Sequence, residues 1–229
     1  MQIFLDTADA KEVRLWLGQG IVDGVTTNPS ILHKEGVHDP AEGAAQLCAL
    51  LGEKPISLEV TSNDRAEMVR QGRSYARWAA NVVVKIPICT EEGESCLGVV
   101  HELSSAGVKV NCTAILSFNQ AILAAKAGAT YVSLFAGRIA DEGGDPGIVI
   151  ANVRRWLDLW RSPAQIIVGS IRSVMDIQQA ALAGAHIITI PPSFLPKMVD
   201  HKYSRDTVRQ FNRDAQKAVA QMESARAAH

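Results

Sequence analysis

The amino-acid sequence predicts an α/β fold of the (β/α)8, or TIM-barrel, class. About eight short runs rich in β-branched residues alternate with longer segments of helical spacing, and 229 residues suit one such barrel. A doubly wound open sheet is the alternative, but no glycine-rich dinucleotide motif follows the first run. We therefore expect a single barrel domain over residues 1–229 with an additional C-terminal helix.

The predicted strands are short and are bounded by glycine, proline or polar residues. Several are almost continuously apolar, which is typical of parallel strands that helices cover. In chain order the predicted strands are 3–6, 24–28, 56–60, 82–86, 108–114, 131–135, 165–170 and 187–190.

Two of the intervening helical segments end in the same way. Residues 117–128 and 173–184 are rich in alanine, stop at a glycine and lead directly into a strand, which predicts glycine at the helix C′ position. The first helical segment, 9–17, opens with an acidic cap-like residue and stops before a glycine. Residues 206–229 are predicted to form a terminal helix beyond the barrel, where it is free to pack on a neighbouring subunit of a homo-oligomer.

The composition narrows the classes of partner. Hydrophobic residues make up 47% of the chain, charged residues 21%, and the net charge is -1, so no overall field attracts nucleic acid or an anionic membrane. We find neither a basic leader nor an apolar run long enough to span a bilayer. The four cysteines, at positions 48, 89, 96 and 112, form no C-x-x-C pair. They are interpreted as reduced, mostly buried thiols, which favours a cytoplasmic location over a zinc site or a disulfide framework.

Polar residues stand near the expected carboxyl ends of the predicted strands. Barrels of this class carry their functional groups at that face. An inert core would not choose such residues, since a buried charge costs free energy unless it is paired. Six predicted strands contribute one each: Asp6, Asn28, Glu59, Lys85, Thr113 and Ser133.

Lys85 is the expected centre of the chemistry. Three valines precede it and an Ile-Pro pair follows, so its stem enters apolar surroundings that disfavour the charged ammonium form. A neutral lysine amine attacks a ketone to form a Schiff base, which is an electron sink for breaking the neighbouring carbon–carbon bond. A purely structural Lys–Glu ion pair is the alternative.

Asp6 and Glu59 are the predicted acid/base partners. Carbon–carbon cleavage needs a base for a hydroxyl proton, and carbinolamine dehydration needs a proton shuttle, so two carboxylates can divide the work. The alternatives are a helix N-cap for Asp6 and a salt bridge to Lys85 for Glu59. Asn28 offers a donor and an acceptor to a sugar hydroxyl. Alternatively, it only ends a strand before a helix that starts at Pro29.

A second cluster predicts an anion site. Arg138 follows the sixth predicted strand, and Ser170 and Arg172 follow the seventh, where barrels often bind phosphate. Two guanidinium groups, a hydroxyl and backbone amides suit a phosphate monoester. Two ordinary surface arginines are the alternative. The turn-rich loop 143–147 is a further candidate for the mouth of the barrel.

The motifs F-L-D-T-A, T-T-N-P-S, V-V-K-I-P, N-C-T, S-x-F-x-G-R and G-S-I-R occur here in this order. Together they resemble the small transaldolases, a family that includes the fructose-6-phosphate aldolases, from residue 2 to about residue 200. The resemblance implies a class I Schiff-base mechanism in a (β/α)8 barrel, with sugar-phosphate substrates and with neither metal nor organic cofactor. It also implies a place in carbohydrate metabolism, in the pentose phosphate pathway. The implied assembly is a homo-oligomer, a pentamer or decamer, in which the C-terminal helix reaches a neighbour.

Site residues follow from the same resemblance. Lys85 matches the Schiff-base lysine and Asp6 the acid/base that handles the C4 hydroxyl proton. Glu59 and Thr113 match a pair that holds a catalytic water. Residues that match the binding site of the dihydroxyacetone part are Asn28, Asn111 and Ser133, and those that match the phosphate site are Arg138, Ser170 and Arg172.

Two positions bear on the choice of activity. Transaldolases resemble this chain in having Glu59 and Phe135, whereas the aldolase branch tends to carry Gln and Tyr there. We therefore predict transfer of dihydroxyacetone from fructose 6-phosphate or sedoheptulose 7-phosphate to an aldose phosphate. An aldolase that releases free dihydroxyacetone is the alternative, and a non-catalytic sugar-phosphate-binding barrel is a minor one. Leu134, Ala136 and the segment 140–147 depart from the family pattern and bear on substrate preference.

Overall fold

The computed structural model describes residues 1–37 and 39–227 and contains two compact units, Met1–Pro192 and Ser193–His229. In the first unit, eight parallel strands form a closed barrel, in which each strand pairs with the next and the eighth pairs with the first. The predicted (β/α)8 class is confirmed. The strands are β1 (Gln2–Asp6), β2 (Gly24–Thr26), β3 (Ile56–Glu59), β4 (Val82–Pro87), β5 (Val110–Ile115), β6 (Tyr131–Phe135), β7 (Gln165–Gly169) and β8 (Ile187–Ile190).

Helices connect the strands, and most of them begin at a polar residue whose side chain caps the helix. The side chain of Asp9 accepts a hydrogen bond at the start of the first helix, and Ser117 and Ser173 do the same at two later ones. Gly128 and Gly184 follow two helix ends with φ of +102° and +94°, so the predicted C′ glycines are confirmed. The helices of this unit are α1 (Ala10–Gly18), α2 (Pro29–Lys34), α3 (Pro40–Leu51), α4 (Arg65–Tyr75), α5 (Leu97–Ser105), α6 (Phe118–Lys126), α7 (Ala136–Asp141), α8 (Pro146–Leu159) and α9 (Val174–Leu182).

The barrel interior changes from apolar to polar along the strands. Because side chains alternate between the two faces of a strand, residues two apart share the interior. One buried cluster consists of Phe4, Val83, Tyr131, Ile167 and Ile187. Two positions further along the same strands stand Asp6, Lys85, Ser133, Gly169 and Thr189. The interior therefore has an apolar floor and polar residues above it, toward the carboxyl ends of the strands.

Gly24 is required where β2 passes the floor. A Cβ at Gly24 would lie 2.7 Å from the ring of Phe4 and 2.8 Å from the carbonyl oxygen of Pro55. No larger residue fits there without displacing the ring that closes the floor.

The four cysteines are free thiols, as predicted. Cys48, Cys96 and Cys112 are buried and Cys89 is half-buried. Burial raises the pKa of each buried thiol, and it raises the pKa of Cys112 to about 12.

The second unit contains two helices, α10 (Leu195–Val199) and α11 (Lys202–Ala227). The helix predicted over residues 206–229 thus begins four residues earlier, and the last two residues of that prediction lie outside the described chain. Large apolar side chains such as Val208 and Phe211 are exposed along α11. Packing of this helix on a neighbouring subunit, and the grouping of residues 1–229 as one domain, stay predictions. Within residues 1–37 and 39–227, every helix falls short of the length or apolar character needed to cross a membrane.

Candidate active site

A cavity of about 180 Å³ opens at the carboxyl ends of the barrel strands. Its lining includes seven residues that the sequence predicts for the site: Asp6, Asn28, Lys85, Ser133, Phe135, Arg138 and Ser170. The other lining residues are Thr26, Ile167, Gly169 and Thr189. A larger groove of about 510 Å³ lies beside Trp78 and is lined mostly by small and apolar residues of α3 and the approach to β4. It holds none of the predicted site residues.

Lys85 is almost completely buried, with 4% of the residue exposed. Its Nζ lies 2.9 Å from Glu59 Oε2 and donates a hydrogen bond of 3.2 Å to the carbonyl oxygen of Thr27. The neighbouring register of β3 and β4, which pairs Glu59 with Lys85, places the two side chains together. The ion pair considered as an alternative is therefore present. A purely structural role for this ion pair does not explain the cavity beside the amine. Other side chains would be expected to cover a pair that served only to stabilise the fold.

Asp6 ends β1 and points into the same cavity. Thr26 Oγ1 donates a hydrogen bond of 2.8 Å to Asp6 Oδ1 and lies 2.5 Å from Thr189 Oγ1. Because the single Thr26 hydroxyl proton goes to Asp6, Thr189 is the donor of the second bond. Asp9 caps α1, so the alternative role of Asp6 as that helix cap is wrong.

Burial is the largest influence on the carboxyl group of Asp6, and it raises its pKa. The positive charge of Lys85 and the hydrogen bond from Thr26 act in the opposite direction. The negative charges of Glu35 and Glu59 add to the rise. Asp6 therefore holds a proton more readily than an ordinary aspartate, which suits a group that must both take and return one.

A buried polar network beside Lys85 joins residues of β3, β5 and β6. Ser133 Oγ donates to Asn111 Oδ1 at 2.7 Å, and Asn111 Nδ2 donates to Ser57 Oγ at 3.1 Å. Asn111 is fully buried and pairs in register with Lys85, but it is not on the cavity wall. Its side chain orients Ser133, which is on the wall.

Thr113 stands apart from that network. Its hydroxyl is buried and, among the described residues, has no hydrogen-bond partner. The strand bulges directly after it, where the register of β5 and β6 shifts and Ala114 adopts a φ of +58°. A buried hydroxyl without a partner costs free energy, and it is the kind of group that a water or a substrate oxygen would satisfy.

Asn28 fits both of its predicted descriptions. Its Oδ1 accepts a hydrogen bond of 2.9 Å from Ile31 N and caps α2, with Pro29 at the first helical position. The same residue lines the cavity. Its carbonyl oxygen is used by the cap, so its amide nitrogen is the group left to face a ligand.

The predicted anion cluster is only partly assembled. Arg138 and Ser170 line the cavity, whereas both terminal nitrogens of Arg172 bind the carboxylate of Asp141 on α7. The hydrogen bond from Arg172 lowers the pKa of Asp141. Both arginines are exposed, as the alternative of surface arginines requires. The loop 143–147 leads into α8, where Asp145 is the cap, and it is not among the lining residues.

Two departures from the family pattern sit at the end of β6. Leu134 is fully buried and alternates with Ser133 and Phe135, so it faces away from the barrel interior. Ala136 is buried at the first position of α7. Leu134 can therefore affect the cavity only indirectly, by changing the position of the β6 backbone.

Sequence reasoning missed several residues that hold the site together. Thr26 and Ser57 bond directly to the predicted site residues Asp6 and Asn111, and Asp141 on α7 binds Arg172. Thr189 acts through Thr26, and Glu35 acts through Thr7 and Ala8, which directly follow Asp6. For the three hydroxyl residues a signal existed: each is a polar side chain within a short apolar run, at an interior position of its strand.

Comparison with known proteins identifies the family. The family model described as "Transaldolase/Fructose-6-phosphate aldolase" matches residues 3–229. A "Probable transaldolase 2" from Listeria monocytogenes is 44% identical over 214 residues, which are 93% of this chain and 95% of the relative. A "Probable transaldolase" from Dehalococcoides mccartyi is 43% identical over 93% of this chain and 97% of its own length. A "Probable transaldolase" from Clostridium botulinum is 41% identical over 96% of this chain and 99% of its own length.

A solved structure gives the same fold at much lower identity. The crystal structure of 2,3-dimethylmalate lyase, a PEP mutase/isocitrate lyase superfamily member, superposes with a TM-score of 0.60 and 17% identity. The match covers 94% of this chain and 83% of the lyase. At this identity it supports the barrel architecture and carries nothing about the reaction. The activity class rests on the family match, which spans nearly the whole chain, and the chain is thus an enzyme that belongs to the transaldolase/fructose-6-phosphate aldolase family.

Proposed function

We propose that this enzyme is a transaldolase, which transfers dihydroxyacetone from a ketose phosphate to an aldose phosphate through a Schiff base on Lys85. One observation carries the proposal: the buried Lys85 amine and the half-buried Asp6 carboxyl group line the same small cavity. A nucleophile and an acid/base that share one small pocket are what imine-based carbon–carbon cleavage requires.

The first half of the reaction forms the imine. Lys85 gives a proton to Glu59, 2.9 Å away, and its lone pair attacks the C2 carbonyl carbon of the donor ketose. The resulting carbinolamine loses its oxygen as water and becomes a protonated imine. Thr113, with its unpaired buried hydroxyl, and Glu59 are the groups proposed to hold the water that shuttles these protons.

The second half breaks one bond and makes another. Asp6 takes the proton of the C4 hydroxyl, the C3–C4 bond electrons move onto C3, and an aldehyde leaves as the imine becomes an enamine. The enamine carbon then attacks the carbonyl carbon of the acceptor aldehyde, and Asp6 returns the proton to the new hydroxyl. Its raised pKa, caused mainly by burial, supports that two-way role. Water finally hydrolyses the new imine and restores Lys85.

Binding is proposed to use the rest of the cavity wall. Asn28 and Ser133, the latter oriented by Asn111, would bind the hydroxyls of the dihydroxyacetone part. Arg138 and Ser170 would bind the phosphate of fructose 6-phosphate or sedoheptulose 7-phosphate, with Arg172 joining when it leaves Asp141. A cytoplasmic, homo-oligomeric enzyme of pentose phosphate metabolism is part of the same proposal.

A fructose-6-phosphate aldolase on the same scaffold is the second candidate, because the family includes both activities. An aldolase must protonate the enamine carbon and hydrolyse the imine to free dihydroxyacetone. Phe135 lines the cavity and has no phenol to act as an added proton donor. With Glu59 as the carboxylate beside the lysine, this favours transfer over release.

Borohydride trapping tests the central claim. Fructose 6-phosphate plus borohydride is expected to inactivate the enzyme irreversibly and to add the mass of the reduced donor fragment to Lys85. Lys85→Met should gain no mass and have no activity while remaining folded by circular dichroism. Unchanged mass and activity in the treated wild-type enzyme would refute the Schiff base. Donor cleavage measured with and without an aldose phosphate separates the two candidates, since rapid cleavage without acceptor identifies an aldolase.

A further inference from the structure

Glu35 connects the segment that directly follows Asp6 with the helix that Asn28 caps. It directly follows α2, the helix that Asn28 caps, and its backbone N–H bonds to the carbonyl oxygen of Ile31 within that helix. Its carboxylate reaches across to the chain that follows β1. Oε1 accepts from Thr7 Oγ1 at 2.9 Å, and Oε2 accepts from Ala8 N at 2.5 Å.

The groups that Glu35 satisfies are buried although the glutamate itself is exposed. Thr7 is 1% exposed and Ala8 is 7% exposed, so neither donor has free access to water. A buried backbone N–H without a partner is costly, so this contact restrains the β1–α1 loop. Thr7 Oγ1 also accepts from Asp9 N at 3.1 Å, which extends the tie to the start of α1.

We propose that Glu35 is a positioning residue for Asp6, because its carboxylate ties the two residues that directly follow Asp6 to the helix that Asn28 caps. This inference rests on the proposed function, in which Asp6 handles the proton during carbon–carbon cleavage. The reacting groups must be held within a fraction of an ångström, and a displacement of about 1 Å can reduce the rate on the order of 10²-fold.

The negative charge of Glu35 has a second effect, on the pKa of Asp6. The groups that act on Asp6 are Lys85 on β4, Thr26 on β2, Glu59 on β3 and Glu35 after α2. Burial is the main cause of the raised pKa of Asp6, and the negative charge of Glu35 adds to it. Removing that charge should therefore move the acid limb of the rate profile, where Asp6 gains its proton, to lower pH.

Two conservative variants separate geometry from charge. Glu35→Asp keeps the charge but is one methylene too short to reach both Thr7 and Ala8. We expect it to slow donor cleavage by roughly 10- to 100-fold, with the acid limb in place. Glu35→Gln keeps the length, and we expect cleavage within about threefold of wild type with the acid limb at lower pH. Glu12→Gln is the matched control, since Glu12 bonds only to Trp16 in the described chain and does not act on Asp6.

The readouts distinguish positioning from general damage to the fold. Borohydride trapping of Lys85 needs the imine but not cleavage, so Glu35→Asp should be trapped as fully as wild type while its cleavage is slow. In an Asp6→Asn background the same substitution should have no further effect, because it acts through Asp6. The proposal is overturned if Glu35→Asp cleaves at the wild-type rate, if trapping falls as much as cleavage, or if the loss persists in Asp6→Asn. Should Glu35→Asp fail to fold, an unmoved acid limb in Glu35→Gln overturns it instead. Failure of trapping in the wild-type enzyme refutes the proposed function itself.

Discussion

Replacement of Gly137 by alanine is predicted to damage anion binding and leave the lysine chemistry intact. Gly137 is the second residue of α7, and its N–H bonds to the carbonyl oxygen of Ser170 at 3.1 Å. A Cβ at this position would lie 2.4 Å from that oxygen, 2.7 Å from Arg172 Nε and 2.9 Å from Ser170 Oγ. Nonbonded contacts are ordinarily roughly 3.5 Å, so the segment after β7 must retreat by about 1 Å.

The expected loss of donor affinity follows from the hydrogen bonds to the phosphate that the substitution would remove. Hydrogen bonds to a charged group contribute about 1.5–3 kcal/mol. Losing one raises the half-saturating concentration of a phosphorylated donor by roughly 10- to 150-fold. The assay is borohydride trapping of Lys85 as a function of donor concentration, with fructose 6-phosphate and with dihydroxyacetone. The variant should need more fructose 6-phosphate and the same concentration of dihydroxyacetone, which has no phosphate.

A matched glycine provides the control. Gly98 is the second residue of α5, and a Cβ there would meet no atom within 4 Å. Gly98→Ala should leave both titrations unchanged and alter stability by at most about 1 kcal/mol, because alanine favours helix. If Gly137→Ala binds fructose 6-phosphate as tightly as wild type, or weakens dihydroxyacetone equally, the assignment of this corner to the phosphate is wrong.

Three further outcomes are expected. Thr113→Val should leave the melting temperature unchanged or raise it, since the hydroxyl has no partner in the described chain, yet lower turnover by roughly 10²-fold; normal turnover would refute its role in holding water. Phe135→Tyr should add a proton donor to the cavity and raise the ratio of free dihydroxyacetone to transferred product, and a chromatographic product assay that finds the ratio unchanged contradicts this. In a thiol titration at pH 8, the half-buried Cys89 should react rapidly and the three buried thiols, including Cys112 with its pKa of about 12, only after denaturation. More than one fast thiol in the native protein would contradict the packing around the others.

The barrel was predictable because its signals are local. Each β-branched run and each glycine after a helix reports on its own segment, and a closed barrel follows once eight such units alternate. The same locality explains why Asp6, Glu59 and Lys85 could be placed at one mouth, since all three stand at or near the carboxyl ends of their strands.

The missed features depend on contacts between distant segments. Glu35 lies 27 residues from Ala8, and Asp141 lies 31 residues from Arg172. The residues around one member of each pair carry no sequence pattern that predicts contact with the other member. The pairing of Arg172 with Asp141 also changes the expected anion site, because of these two arginines Arg138 alone lines the cavity. The sequence identifies charged residues near the mouth but not which of them are already neutralised by a partner.

The apolar floor of the barrel has a kinetic consequence. Phe4, Tyr131 and the other floor residues fill the interior beneath the cavity, so a bound sugar can leave only through the mouth by which it entered. During the proposed transfer, the first aldehyde must depart before the acceptor can reach the enamine, which stays attached to Lys85. The enzyme should therefore follow ping-pong kinetics, with parallel double-reciprocal lines at different acceptor concentrations. Donor and acceptor must use the same opening in turn during each catalytic cycle. A high concentration of acceptor should therefore inhibit the enzyme by competing with the donor for the unoccupied cavity.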